Sequence, residues 1–373
     1  MYQGLADKDG HFRRKDSAFR NHISADPTSE FPAEPGRYAL WIHKGCPWAH
    51  RTYITRALKG LEDVIQLIVL NDAEKKDGKM LWCFKGEERD PLYGFKYLKE
   101  LYEKSEPGYD GRYLVPTLWD KKTGKSTLAF CLYFQHQKCY IPRAPRPAPS
   151  GRKQITWYTN NLTERIVSNE SSEIIRMFYT EFDAFIPENL RESAKGEKGL
   201  YPPQLRAEIN DMNEWVYDTI NNGVYKAGFA ATQEAYEASV FPIFESLDRI
   251  EEHLSQPGHQ PYLFGESITE ADIRLYTTMI RFDVAYYSVM GCSLKMVRHD
   301  YPRIHEWLRK LYWDESERTN GGAFKKTTHF ETVIHPTQDL KKALINSQYK
   351  PGYAAAKGLK VVPVGPTPDI LPL

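Results

Sequence analysis

The hydrophobic pattern starts late. Up to about Gly36 the chain is polar, contains prolines and shows only weak periodicity, which predicts an extended arm with order beginning at Arg37. Tyr38-Ala39-Leu40-Trp41-Ile42 is then an apolar run of strand length, ended by His43-Lys44-Gly45. Beyond Cys46-Pro47, the residues Tyr53, Ile54, Ala57 and Leu58 recur at helical spacing, and Val64 to Leu70 forms a second buried strand. Strand, helix, strand calls for a parallel sheet with a crossover helix.

Leu114-Val115-Pro116-Thr117-Leu118-Trp119 reads as a third strand with a proline at its start, the position where a missing N–H does least harm. Asp120-Lys121-Lys122-Thr123-Gly124 is a turn signal, and Ile166-Val167 is the partner strand of the hairpin it predicts. Asn169-Glu170-Ser171 and the helical run Ile174, Ile175, Phe178 follow. The interval from Lys125 to Glu164 differs from its surroundings: two cysteines, the basic proline-rich stretch Pro142 to Pro149, and a single acid, Glu164. Stretching a hairpin turn roughly tenfold costs only about 2 kcal/mol of closure entropy, so a fold can survive such an insertion. From about Pro202 onward the pattern is helical, with Phe241, Phe244, Leu247, Ile250 and Leu254 on one face. Thr269-Glu270-Ala271-Asp272 resembles a capping box with Asp in place of Glu. After Pro336 periodicity fades into a Pro/Gly-rich tail.

Composition narrows the classes. The chain has 373 residues, 41% hydrophobic, 27% charged and 13% aromatic, enough for two or three domains and a sizeable core. A formal net charge of +1 removes the electrostatic case for a nucleic-acid binder. No apolar run approaches the ~20 residues that span a bilayer, and Met1 to Arg20 contains no apolar signal segment. Five scattered cysteines do not form a disulfide framework, and no His/Cys cluster has metal-ligand spacing. The expectation is a soluble cytoplasmic protein that uses no metal and binds neither nucleic acid nor membrane.

Cys46 is the most informative residue. It follows a strand and caps a helix whose first residue is Pro47, and a helix N-terminus stabilises a thiolate and lowers the thiol pKa. The residue three positions on is Ala49, so a mixed disulfide on Cys46 must be resolved by another thiol, most economically an external one. The alternative is an inert cysteine at a helix start. Val115-Pro116 sits where thioredoxin-like folds place a cis-proline beside the nucleophile. Glu170 and Ser171, before and at a helix start, offer a carboxylate, a hydroxyl and free N–H groups to the zwitterionic end of a small peptide, unless Ser171 merely caps its helix. Nucleophile, proline and Glu-Ser together describe a glutathione site.

Gly45-Cys46-Pro47-Trp48-Ala49-His50-Arg51, Trp82-Cys83-Phe84, Glu88-Arg89-Asp90, Val115-Pro116, Asn169-Glu170-Ser171, Asn222 to Phe229 and Thr269 to Arg274 closely resemble the Xi-class glutathione transferases, the S-glutathionyl-hydroquinone reductases related to the omega class. The resemblance implies a glutathione transferase fold: an α/β thioredoxin-like N-terminal domain and an all-α C-terminal domain, usually in a homodimer. The corresponding boundaries are an arm at 1–36, a glutathione-binding domain at 37–200 interrupted by 125–164, a helical substrate and dimer domain at 201–335, and an irregular tail at 336–373. Position by position, Cys46 becomes the nucleophile, Trp82, Val115, Glu170 and Ser171 hold glutathione as co-substrate, and Tyr225 faces a glutathionylated aromatic substrate; as a phenol there, Tyr225 is also the candidate to donate or orient the proton the leaving ring must accept. Tyr286 is a further substrate-side candidate, while Cys83 and Cys292 read as packing residues.

The chain departs from this pattern twice. The family runs from the turn directly into the second hairpin strand, so 125–164 is read as a translated intron, with a partner-binding polyproline loop as the alternative. After Thr328-His329-Phe330-Glu331 a tyrosine that lines the substrate pocket in the family has no counterpart, and likeness returns only at Val361 to Pro366. The leading expectation is glutathione-dependent reduction of glutathionyl-hydroquinones. An omega-like thioltransferase or dehydroascorbate reductase, or a non-catalytic carrier of hydrophobic ligands, are the alternatives.

Overall fold

The computed structural model describes residues 6–76, 79–122, 164–333 and 370–373. Its first layer is a four-stranded sheet in the order β2-β1-β5-β6, formed by β1 (Tyr38–His43), β2 (Gln66–Leu70), β5 (Thr117–Asp120) and β6 (Arg165–Ser168). β1 runs parallel to β2, with Leu40 opposite Leu67, and antiparallel to β5, with Leu40 opposite Leu118. It is therefore central and buried along its whole length, which is why its sequence is an unbroken apolar run rather than an alternation. The crossover between β1 and β2 is α1 (Pro47–Leu58), and α3 (Ser171–Thr180) follows β6 and packs against α1.

The hairpin partner is as expected: Trp119 pairs with Ile166 and Asp120 with Arg165. Both readings of the insertion at 125–164, and the readings of the tail at 336–373, fall on residues that lie outside the described ones, apart from Glu164 and residues 370–373. Two boundaries shift. β2 begins at Gln66 because the Val64 and Ile65 N–H groups are taken by Leu61 in the preceding turn, and β5 begins at Thr117, directly after Pro116. The pattern missed the hairpin of β3 (Asp72–Lys76) and β4 (Lys79–Cys83), whose charged first strand gives no apolar signal, and the short α2 (Leu98–Ser105).

The expectation that order begins at Arg37 is overturned. The arm extends the sheet beyond β6, with the Asn21 N–H donating to Val167 O at 2.9 Å and the Asn169 N–H to Phe19 O at 3.0 Å. It thereby covers an otherwise open strand edge. Phe12, Ile23 and Phe31 are buried anchors, but they sit on irregular backbone, so their spacing carries no period. At its near end Phe12 packs on Phe229 of the helical domain, centroids 5.0 Å apart, and Gly10 accepts from the Ala231 N–H at 2.9 Å. Gly10 has φ +85° and lies so close to Thr232 that a Cβ would meet its methyl at 2.7 Å, so any side chain there strains the backbone and displaces Thr232.

The second layer is helical. Helices Arg206–Val216, Gln233–Ser255, Glu270–Met279 and Pro302–Trp313 enclose a core that includes Ile243, Leu247, Ile250, Ile273, Leu275 and Trp307. The Thr269 capping box forms as read: the Thr269 N–H and hydroxyl both donate to Asp272 Oδ2, at 2.8 and 2.9 Å. Its other oxygen accepts from Leu263 N–H at 3.0 Å and Trp307 Nε1–H at 2.9 Å, so one carboxylate ties three segments together.

α1 joins the two layers. Ala49 lies in the sheet-side core while Ile54, Ala57 and Leu58 lie in the helical one. Polar bonds add to this seam: Asn320 Nδ2 donates to Ala57 O at 2.8 Å, and Arg51 to Asn221 Oδ1 at 2.6 Å. The helix that carries Cys46 is therefore fixed from both sides.

Candidate active site

Cys46 is the N-cap of α1, with φ −79° and ψ 119°, and Pro47 supplies the first helical residue. The sheet delivers β1 to His43, the Lys44-Gly45 turn reverses the chain, and the thiol meets Val115 O at 3.5 Å across the gap. The Val115–Pro116 peptide is cis. The side chain is only 6% exposed. Burial pushes the Cys46 thiol up, against the pull of the Ala49 and Trp48 N–H groups and of the Arg14 and Arg281 charges. The helix N-terminus thus acts in the direction the sequence suggested, but desolvation outweighs it, which corrects the expectation of a lowered thiol pKa.

Glu170, not Ser171, caps α3, so the reading of Ser171 as a mere helix cap falls. Glu170 accepts from the Ser172 N–H at 3.1 Å, the Ser172 hydroxyl at 2.9 Å and the Ser17 hydroxyl of the arm at 2.9 Å. Burial raises its pKa, but these donors and the Arg51 charge together outweigh burial and hold the carboxyl below its ordinary value. Ser171 is buried, and its hydroxyl lies 3.5 Å from Arg51 Nη1. Arg51 is itself enclosed; burial, helped by Arg274, pulls it down to about 9.

Aromatic rings fill the side of the site toward the helical domain. Trp48 stacks with Tyr225 at 6.3 Å and meets Tyr217 at 5.8 Å, and Tyr225 stacks on Phe229 at 6.1 Å. The Tyr225 and Tyr286 hydroxyls lie 3.2 Å apart. Tyr286 is fully buried whereas Tyr225 is half-buried, so Tyr286 stands behind Tyr225 rather than beside it. The Arg14 and Arg51 guanidinium carbons sit 4.2 and 4.5 Å from the Trp48 ring centroid, a cation–π arrangement. Trp82, on β4, is half-buried against the His43 ring at 4.6 Å.

The fold therefore gathers Cys46, Val115, Glu170 and Ser171 along the ends of β1, β5, β6 and the starts of α1 and α3, and sets Tyr225 with Tyr286 against Trp48. Sequence reasoning passed over Arg14 and Ser17 on the arm, and His43, His50, Arg51 and Arg281. His50 and Arg51 lay inside the Cys46 motif, but nothing in the motif told their roles apart. The arm residues gave no signal, because they sit on irregular backbone and meet distant partners: Arg14 lies over Trp48, and Ser17 donates to Asn169 O and Glu170. Cys83 and Cys292 are buried, in keeping with packing. Cys83 also lies with Asp72 and Glu74 in one group of donor atoms within 4.8 Å, which linear spacing did not suggest. Glu74 there already accepts from the Tyr97 hydroxyl at 2.8 Å and pairs with Lys96 at 3.3 Å.

Two family models match the chain: glutathione S-transferase N-terminal domain over residues 45–181 and C-terminal domain over 233–310. The glutathione transferase Xi from Phanerochaete chrysosporium matches at 41% identity and a TM-score of 0.72, over 97% of this chain and all of that one. The chain belongs to the glutathione transferases, in the Xi class. The glutathionyl-hydroquinone reductase YqjG of Escherichia coli is 41% identical over 81% of this chain and 79% of its own. The Xi glutathione transferase ECM4 of Saccharomyces cerevisiae, solved in complex with glutathione, is 33% identical with a TM-score of 0.70, covering 98% of this chain and 99% of that one. The two-layer architecture described above is accordingly the transferase fold, and the chain is a glutathione transferase family enzyme.

Proposed function

We propose that this chain reduces S-glutathionyl-hydroquinones to hydroquinones with glutathione as co-substrate, through Cys46. The observation that carries the reading is a single thiol at a helix N-terminus, flanked by a carboxylate–hydroxyl pair on one side and a tyrosine-rich aromatic wall on the other. The hydroquinone reductase and the glutathione-bound transferase among the relatives point the same way.

In this scheme Glu170 takes the ammonium of the glutathione γ-glutamyl group, and Ser171 with the α3 N-terminus takes its carboxylate. Val115 and Trp82 hold the rest of the peptide, and the aryl group lies against Trp48 and Tyr225. The Cys46 thiolate attacks the glutathionyl sulfur, the carbon–sulfur bond breaks, and the ring carbon takes the electron pair and a proton to give the hydroquinone. Tyr225, its hydroxyl polarised by Tyr286, donates or orients that proton. A second glutathione thiolate attacks the glutathione sulfur of the mixed disulfide, releasing oxidised glutathione and restoring Cys46. Glutathionyl-hydroquinone and glutathione thus yield hydroquinone and glutathione disulfide. A homodimer in the cytoplasm belongs to the same proposal and rests on the family alone; among the described residues no helix is long and apolar enough to cross a membrane.

The test is turnover of a glutathionyl-hydroquinone with excess glutathione, for wild type, Cys46→Ser and Tyr225→Phe. Wild type should release hydroquinone and glutathione disulfide, Cys46→Ser should release none, and Tyr225→Phe should lose on the order of a hundredfold in kcat. Full Tyr225→Phe turnover would remove the proton role. No wild-type turnover, with glutathione still captured on Cys46, would leave a thioltransferase; aryl binding that survives in an inactive Cys46→Ser and an inactive wild type alike would leave a ligand carrier.

A further inference from the structure

Arg281 is 1% exposed, and its partners are neutral acceptors, two of them on the turn before Cys46. Its guanidinium donates to Thr277 O at 2.8 Å, Lys44 O at 3.1 Å, Gly45 O at 3.3 Å and His50 Nδ1 at 2.9 Å. No carboxylate lies within ion-pair distance of it among the described residues. Arg37, Lys59 and Arg274 are matched by Asp120, by Asp183 and Glu192, and by Glu270, whereas Arg51 and Arg56, like Arg281, are buried on neutral acceptors; of these three only Arg281 is bonded to the turn before Cys46. A buried charge held only by neutral acceptors is costly unless an opposite charge meets it.

The hydrogen-bond chain fixes where that charge acts. The Thr327 hydroxyl donates to Ala323 O at 2.7 Å, so it accepts from His50 Nε2–H at 3.1 Å, and His50 Nδ1 is left to accept from Arg281. His50 is thereby a neutral imidazole, and burial first, then Arg281 and His329, push its pKa well down. Two of the four acceptors on Arg281 are the carbonyls of the two residues preceding Cys46. The charge is therefore locked onto the turn that presents the nucleophile.

We propose that Arg281 is a positioning residue that promotes the ionisation of Cys46: its charge, tied to the Lys44 and Gly45 carbonyls, favours the thiolate against the burial that disfavours it. The charges that act on the sulfur are Arg14 of the arm and Arg281 of the helical domain, while Glu170 at the start of α3, the carboxylate of the site, is taken by Ser17, Ser172 and the Arg51 charge. The two charges that act on Cys46, Arg14 and Arg281, both favour the thiolate over the buried thiol. Arg14 belongs to a half-buried arm, whereas Arg281 is held by four bonds. A unit charge near a sulfur at an effective dielectric of about 20 is worth on the order of one pKa unit. The inference rests on Cys46 being the nucleophile of the proposed reaction, but not on the identity of the substrate.

The test reads ionisation directly: the rate of Cys46 alkylation by iodoacetamide from pH 5 to 10, followed by mass spectrometry of the Cys46 peptide, in wild type, Arg281→Gln, Arg281→Met and Arg281→Lys. Folding of each is checked by circular dichroism and melting. The neutral variants should raise the thiol pKa by about one unit and slow alkylation at pH 7 about tenfold, whereas Arg281→Lys, which keeps the charge but not the fork of bonds, should stay within about half a unit of wild type. A folded Arg281→Gln with the wild-type pKa, or an Arg281→Lys displaced as far as Arg281→Gln, would overturn the proposal. Should neither neutral variant fold, Arg281→Lys decides alone: a displacement of a full unit with the charge retained overturns it, and half a unit or less supports it. Failure of wild-type turnover with this order of pKa values intact would retire the substrate reading and leave Arg281 in its role.

Discussion

Acidification from pH 7 to pH 5 should weaken this fold, and His43 should account for a separable part of the loss. Its ring is buried between the Lys44-Gly45 turn and Trp82, and Nδ1 accepts the Gly45 N–H at 3.1 Å. Burial, with the Arg281 charge, pulls its pKa from 6.5 down to about 4. Between those two values the unfolded chain binds a proton that the folded chain refuses, so stability falls as pH falls through that window. The full gap corresponds to roughly 3 kcal/mol, of which about 2 kcal/mol is already lost at pH 5. His43→Gln removes the titration while leaving a side-chain oxygen that can accept from Gly45. Urea unfolding of both proteins at pH 7 and pH 5 gives the result as a difference of differences, in which the shifted His50, His253 and Asp272 are common to both and cancel. The variant should lose about 2 kcal/mol less than wild type over that interval. Equal losses, within roughly half a kcal/mol, would refute the assignment of a neutral, buried His43 with an accepting Nδ1.

Two further outcomes are expected. If Ser171 binds glutathione as proposed, Ser171→Ala removes a hydrogen bond made equally to bound and reacting glutathione and should raise the KM about tenfold with kcat nearly unchanged; an unchanged KM in steady-state kinetics would refute that role. Asp272→Ala should destabilise the protein by about 3 kcal/mol in urea melts, since it strands the buried N–H groups of Leu263, Thr269 and Trp307 at once, and a loss below about 1 kcal/mol would show that the carboxylate is not the tie it looks to be.

Much of this molecule was legible in the chain. The central strand, the helix after Cys46, the hairpin partner and the Asp272 cap rest on local rules of periodicity, turn chemistry and capping, and each appears where those rules put it. Local rules also placed Cys46 at a helix start and Glu170 and Ser171 at another. They could not place the arm, because Phe12, Ile23 and Phe31 hold it by contacts with distant surfaces and not by any repeat of their own. Nor could they set the state of the Cys46 thiol: a helix N-terminus alone lowers a thiol pKa, and only the packed structure shows that burial outweighs it. The same holds for Arg281, which lies far along the chain from Lys44 and Gly45 and becomes part of their turn only when the helical layer docks on α1. Backbone conformation is decided by neighbours in sequence, whereas desolvation and charge are decided by neighbours in space, and the reactivity of this site depends on the second.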